Sequence, residues 1–297
     1  MLVLDQFATF AALVLRGLTS AQRHAEDMMD KGETFRKLHD GPGAFLIPNP
    51  WDVGTAKFLS SLGFKALATT SAGFAFSRGL PDGGVTFDDM IEHCRELSGA
   101  VAIPVSADLE KGKGDSPDDA AETIRRAAAA GLAGCSIEDA TGDPAKPIYD
   151  FSLAVERVAA AAEAARALKH DFVFTARAEN FLWDRPDMDD TIRRLQAFEK
   201  AGADVLYAPG LSTIENVRTV CSSVGRPVNV LAITGFDLTS LSQAGVRRVS
   251  LGSKLTTAAF GAVEAAANEM LSQGTFEFAR QATPFSRLQA LFSEARG

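Results

Sequence analysis

Pro104-Val105-Ser106-Ala107-Asp108-Leu109-Glu110-Lys111-Gly112-Lys113-Gly114 reads as a buried strand that ends in acid and dissolves into a glycine-rich turn. Side chains on a strand alternate with a period of two, so Asp108 and Glu110 are expected on one face. Two acids side by side repel unless a cation lies between them or one keeps its proton. When every donor is oxygen, a hard divalent ion such as Mg2+ fits best. A solvated strand end with two independent acids explains the same stretch equally well, so the rest of the chain has to decide.

Working outward, the pattern repeats. Short apolar runs are expected as strands over residues 44–49, 66–70, 104–109, 134–139, 172–179, 204–209, 227–232 and 248–252. Helices are expected over 52–62, 87–98, 117–130, 151–168, 188–201, 212–222, 238–244 and 254–273. Four helices end in a glycine shortly before the next strand, at Gly63, Gly131, Gly202 and Gly245, where a left-handed residue stops the helix. Alternating strands and helices make a parallel sheet, and eight units predict a closed (β/α)8 TIM barrel. No Gly-x-Gly-x-x-Gly follows the first strand, which argues against a dinucleotide fold.

The chain has 297 residues, 46% hydrophobic and 23% charged, an ordinary globular composition with length for one large barrel. Residues 1–32 are expected as an N-terminal helical extension and 33–297 as a single barrel domain with C-terminal helices. The apolar run from Phe7 to Leu18 is too short to span a membrane and is broken by Arg16. A net charge of −8 argues against nucleic acid and anionic membranes as partners. Three scattered cysteines (Cys94, Cys135, Cys221) point to a reducing, cytoplasmic setting, and the four histidines have no zinc-ligand spacing.

In a parallel barrel the active site lies at the C-terminal ends of the strands. The residues there are Asn49, Trp51 and Asp52; Thr69, Thr70 and Ser71; Asp108 and Glu110; Glu138 and Asp139; Arg177, Glu179 and Asn180; Tyr207; Asn229; and Ser250 and Ser253. Asp82 lies in the loop after the second strand. This is an acidic rim with one arginine inside it. Asp82, Asp108, Glu110 and Glu138 could share a metal, directly or through water. Arg177 is either a clamp for a carboxylate or phosphonate, or a plain salt-bridge partner. Thr70-Ser71-Ala72-Gly73 offers free amides to an anion or is an ordinary βα turn. Lys111 either adds positive charge beside the metal or is an exposed loop lysine.

Four segments, in order, carry a family likeness. They are Asn49-Pro50-Trp51-Asp52 running to Leu62-Gly63-Phe64, Gly79-Leu80-Pro81-Asp82, Asp108-Leu109-Glu110-Lys111-Gly112-Lys113-Gly114, and the strand ends Ile137-Glu138-Asp139 and Ala176-Arg177-Ala178-Glu179. Over residues 33–293 the chain resembles the isocitrate lyase / phosphoenolpyruvate mutase superfamily, in its short barrel-only form. The resemblance implies Mg2+ near Asp108, with Mn2+ as a substitute, and Asp82, Glu110 and Glu138 reaching it through water. It implies a 2-oxo acid or its enolate on that metal, with Trp51, Thr70, Ser71, Ala72, Asp82, Arg177 and Asn229 binding substrate. It also implies a homotetramer with an exchanged last helix; Phe276, Phe278, Phe285, Leu288, Leu291 and Phe292 would suit that exchange or would pack on their own barrel.

One departure bears on the chemistry. The family's lyases carry a Cys-Gly-His motif in the loop after the Glu138 strand, with the cysteine as proton donor. Here residues 140–150 hold no Cys and no His. Water, Tyr149 or Lys146 then has to supply the proton. The catalytic set expected is Arg177, Glu138, Asp82, Lys111 and Tyr149. The reaction expected is Mg2+-dependent C–C cleavage or decarboxylation of a small 2-oxo or 2-hydroxy (di)carboxylate through an enolate. A P–C bond enzyme (phosphonomutase or phosphonopyruvate hydrolase type) and a non-catalytic 2-oxo acid-binding barrel are the alternatives.

Overall fold

The computed structural model describes residues 31–293. Most of the extension expected over residues 1–32 therefore lies outside the described residues. Eight parallel strands form one sheet: β1 (Phe45–Ile47), β2 (Leu67–Ala68), β3 (Val105–Asp108), β4 (Gly134–Glu138), β5 (Val173–Arg177), β6 (Val205–Tyr207), β7 (Val228–Leu231) and β8 (Arg248–Ser250). Each pairs with its neighbour, and β1 pairs with β8. The remaining seam, between β1 and β2, is joined by the Ala68 amide donating to Pro48 O at 3.0 Å. Asn49 reinforces the closure: its side chain donates to Thr69 O and accepts the amides of Leu251 and Gly252. The architecture is the expected (β/α)8 barrel, with each strand shorter than its apolar run.

The helices follow in chain order: α1 (31–40), α2 (Val53–Ser61), α3 (Ser71–Ser77), α4 (Phe87–Ala100), α5 (Pro117–Ala129), α6 (Phe151–Arg166), α7 (Met188–Ala201), α8 (Ile214–Ser223), α9 (Leu238–Gln243), α10 (Lys254–Gln273) and α11 (Phe285–Ser293). Their starts are written in the sequence. Asp52, Thr86, Ser116, Asp187, Thr213 and Asp237 each accept an amide of the first turn, satisfying a donor that the helix leaves orphaned. Gly202 ends α7 with φ of 108°, a conformation that strains any residue with a Cβ, and a Cβ there would also push the Arg166 guanidinium aside.

Helix α3 is not among the helices expected from the sequence. Thr70 caps it through Gly73 N at 3.1 Å, so the small residues after β2 open a helix at the barrel mouth. Helix α1 closes the opposite end: Phe35 is fully buried with Ile47, Ala133, Val173 and Val205, and Arg36 pairs with Asp171 and Asp204. Between sheet and helices, Phe174, Leu195 and Phe198 are fully buried, each worth about 2 kcal/mol of removed apolar surface. No helix of the described residues is long and apolar enough to cross a membrane.

The last helix lies on its own barrel. Phe292 reaches Gly54 of α2, and the Arg287 guanidinium sits over the Phe58 ring at 5.3 Å. Leu288 and Leu291 are half-buried there, whereas Phe276, Phe278, Phe285 and Phe292 are exposed.

Candidate active site

A cavity of about 800 Å³ opens at the C-terminal ends of the strands. Its wall carries Asp82, Asp108, Glu110, Glu138 and Glu179 against the cations Lys111, Arg177 and Arg248, five acids to three bases. Arg177, from the end of β5, is the hub. Its Nη1 meets Asp108 Oδ1 at 2.6 Å, Nη2 meets Glu138 Oε2 at 2.9 Å, and Nε meets Glu179 Oε1 at 2.9 Å. The guanidinium also sits over the Tyr207 ring at 5.3 Å. Both readings of Arg177 are thus present in one residue: it is a salt-bridge partner, and it stands in the cavity wall.

Asp108 ends β3. Its amide donates to Thr69 Oγ1, and its second oxygen accepts the Ser71 hydroxyl at 3.1 Å. Glu110 reaches the same cavity by a different route from the one expected. The strand stops at Asp108, Leu109 turns into the core, and Glu110 takes the left-handed conformation with φ of 50°. Such a φ on a non-glycine residue costs roughly 1 kcal/mol or more and tends to mark functional positions. Burial first, then the charges of Asp108 and Asp82, push the Glu110 carboxyl up to about 7. Burial and Asp108 also raise Asp82, and burial outweighs Arg177 in raising Glu138. Carboxyls crowded until they hold protons form a donor set that a divalent cation would relieve.

Among the described residues no three His, Cys, Asp or Glu side chains stand close enough to ligate one ion together. Of the two expected arrangements, direct sharing by the four acids does not fit and sharing through water does. An ion held by Asp108, with waters between it and the other acids, fits a hard ion that keeps much of its hydration.

The other expected residues divide. Thr70, Ser71, Ala72, Asp82, Lys111 and Asn229 line the cavity. Trp51 and Tyr149 do not. The Trp51 amide donates to Thr55 Oγ1 as part of the start of α2. Tyr149 is buried, its hydroxyl donates to Asp115 at 2.6 Å, and the Arg157 guanidinium stacks on its ring at 4.5 Å. That hydroxyl is committed away from the cavity, so Tyr149 is withdrawn as the proton donor. Lys146 pairs with Asp150 at the surface. Lys111 Nζ holds both Asp115 and Thr141 O at 2.8 Å, tying the β3 loop to the 140–150 loop. Asp139 faces away from the barrel axis onto the buried Arg194. The sequence reading missed Trp183 and Arg248 in the wall. Arg248 could have been found, because it stands two residues before Ser250 and so shares its face.

Residues 35–271 match the family model described as phosphoenolpyruvate phosphomutase. A crystal structure of a candidate lyase/mutase from Burkholderia cenocepacia is 51% identical, with a TM-score of 0.88 over 90% of this chain and 97% of the other. The 2-methylisocitrate lyase of Escherichia coli is 29% identical over 218 residues, 71% of this chain and 72% of its own. Oxaloacetate acetylhydrolase, solved with the product oxalate, is 25% identical with a TM-score of 0.78, over 88% of this chain and 93% of the other.

Proposed function

The chain belongs to the phosphoenolpyruvate phosphomutase family, within the isocitrate lyase / phosphoenolpyruvate mutase superfamily of carbon–carbon lyases, and from that membership we propose a Mg2+-dependent lyase or decarboxylase that breaks a C–C bond of a small 2-oxo or 2-hydroxy (di)carboxylate through an enolate. The observation that carries this reading is Arg177, buried and fixed by three carboxylates, in the wall of an acidic cavity. Asp108 would hold the ion, with Asp82, Glu110 and Glu138 reaching it through water and Mn2+ able to replace it. When bound, the metal would act as a Lewis acid toward the oxygens of the 2-oxo acid. Thr70, Ser71 and Ala72 would receive the C1 carboxylate at the start of α3. Arg177 lies ready for the charge that grows on the enolate oxygen, and its ion pairs fix it in place before the bond breaks. With Tyr149 withdrawn, Lys111, Tyr207 or an admitted water carries the proton that ends the reaction. The cytoplasm, where its three free cysteines stay reduced, is the proposed location.

The test is turnover. The protein with Mg2+ is given oxaloacetate, 2-methylisocitrate-type acids and phosphonopyruvate. Pyruvate or another 2-oxo acid released from the carboxylates supports the reading. The family model favours a second reading, P–C bond chemistry, and phosphate released from phosphonopyruvate alone would put that reading in its place. Stabilisation by oxalate with no turnover of any kind would leave a binding barrel.

Acid and metal should compete. A carboxyl raised in the folded protein binds more protons folded than unfolded. Its contribution to stability is therefore intact below the ordinary value of 4.5 and is lost as pH rises toward about 7, the folded value of Glu110. A cation among the acids would restore what is lost. The thermal shift given by Mg2+ is thus expected to grow between about pH 5 and about pH 8. A shift that is flat or falls over that range would place the ion elsewhere.

We also propose a homotetramer. Phe260, Val263, Leu271, Phe276 and Phe285 are more than half exposed on the C-terminal helices, more apolar surface than a lone soluble chain usually leaves open. Light scattering should give a multiple of the 31.5 kDa chain, and Leu271→Asp with Phe285→Asp should reduce it to the monomer.

A further inference from the structure

A single row of side chains leads from the acids to the floor of the cavity. Register partners on parallel strands face the same way, and Glu138, Arg177, Tyr207, Asn229 and Arg248 follow one another across β4 to β8. All five line the cavity. The row ends on a guanidinium that is only 5% exposed, in wholly neutral company. Its Nε donates to Asn229 Oδ1 at 2.8 Å and its Nη2 to Thr175 Oγ1 at 2.9 Å. Its Nη1 lies 3.3 Å from His39 Nε2. The other ring nitrogen of His39 is 2.8 Å from Phe35 O and must donate there, which leaves Nε2 as an acceptor. Burial keeps His39 uncharged, with its value lowered to about 3.

Among the described residues Arg248 forms no ion pair, whereas Arg177 and Arg194 are held by acids and Arg157 by backbone oxygens. Three of its nitrogens are engaged, and a guanidinium has five N–H groups to give. A buried cation without an anion is costly, and arginine cannot relieve the cost by losing its proton. The neighbouring donors lean the same way. Asn229 Nδ2 donates to Ser250 Oγ at 3.0 Å, and the Ser250 hydroxyl in turn bonds the Tyr207 side chain, so this corner of the floor carries no acid either. A positive floor, rimmed by donors and open to the cavity, is the complement of an anionic group.

We propose that Arg248, with Asn229 and Ser250, forms a second anion-reading subsite at the floor of the cavity, and that this subsite selects 2-oxo or 2-hydroxy acids whose far end carries a carboxylate over acids with an uncharged end. The inference rests on the reading of the Asp108–Arg177 end as the 2-oxo acid site, and it adds which end groups the enzyme accepts. Oxalate would fill only the first end, and the length of the substrate is set by the span to the floor.

The experiment compares matched pairs on the full chain with Mg2+ by calorimetry: 2-oxoglutarate against 2-oxovalerate, and 2-oxoadipate against 2-oxohexanoate, with oxalate as the probe of the first end. Each pair differs only in a terminal carboxylate. At one of the two lengths the dicarboxylate should bind about tenfold or more tighter, the scale of one charge-assisted contact. Arg248→Gln should bring that ratio to about one and leave the oxalate affinity unchanged. Asn229→Asp supplies Arg248 with an internal carboxylate at nearly constant shape and should collapse the ratio in the same way; it decides the matter alone if Arg248→Gln does not fold. Ratios near one in the unaltered protein, or a ratio that survives both substitutions, overturn the subsite while oxalate binding leaves the first end standing. If the unaltered protein does not bind oxalate with Mg2+, the reading of the site falls and the subsite falls with it.

Discussion

Arg177→Met is expected to abolish turnover and to cost about 3–5 kcal/mol of stability, the scale for removing one partner from a buried ion pair. The size follows from the geometry. Arg177 neutralises Asp108, Glu138 and Glu179 together, and the last two are 15% and 2% exposed at their side chains. Burial already raises Glu138 and Glu179 above the ordinary carboxylate range against the pull of Arg177. Without that pull both would rise further and hold protons. The sign of the pH dependence then follows: carboxyls that are protonated when folded and ionised when unfolded stabilise the fold below their unfolded value and lose that contribution as pH rises. The variant should therefore melt higher at about pH 5 than at about pH 8, and more steeply so than the unaltered protein. Arg177→Lys keeps the charge but not the three-way fork, and should recover part of the stability and little of the turnover. A Met variant with unaltered melting temperature and activity would reduce Arg177 to a spectator.

How far the sequence reveals this site depends on the kind of information each residue carries. The barrel was legible because its signals are local and repeated: an apolar run, a cap, an alanine-rich helix, a glycine. The acids at the strand ends were legible because position along a strand fixes position in a parallel barrel. Glu110 was placed correctly for a reason that does not hold, since a left-handed turn and not strand alternation brings it back to the cavity. Tyr149 was misplaced, and the Asp115 partner of Lys111 went unseen, because a loop hides its partners. Asp115 takes both, and nothing in the spacing of residues 111, 115 and 149 announces that they meet. Helix α3 was not expected because seven small and aromatic residues show too little periodicity to distinguish a short helix from a turn. Arg248 was passed over because a lone arginine at a strand start looks like a surface residue until the opposite wall of the barrel is known.

Asp108→Ala is expected to lower turnover about a thousandfold or more, the scale on which metal and electrostatic stabilisation of developing charge operate, and to abolish the thermal shift given by Mg2+. It differs from the arginine substitution in leaving the fold intact. Asp108 is one of five acids around the cavity, and its charge is among the causes that raise Asp82, Glu110 and Glu138. Its removal relieves that repulsion, frees Ser71 of one hydrogen bond, and leaves Arg177 with two of its three carboxylates. The metal-free variant should accordingly stay within about 1 kcal/mol of the unaltered protein in stability, a change at a partly buried position whose gains and losses offset. Glu110, relieved of its neighbour, should titrate closer to the ordinary range. Loss of activity together with a preserved fold separates a residue that serves the reaction from one that serves the barrel. Asp108→Asn sharpens the distinction, because its amide oxygen can still accept from Arg177 and its Nδ2 can donate to Ser71 Oγ, but an uncharged amide is a poor partner for a hard cation. If either variant retained Mg2+-dependent turnover, the acid that ends β3 would not hold the metal.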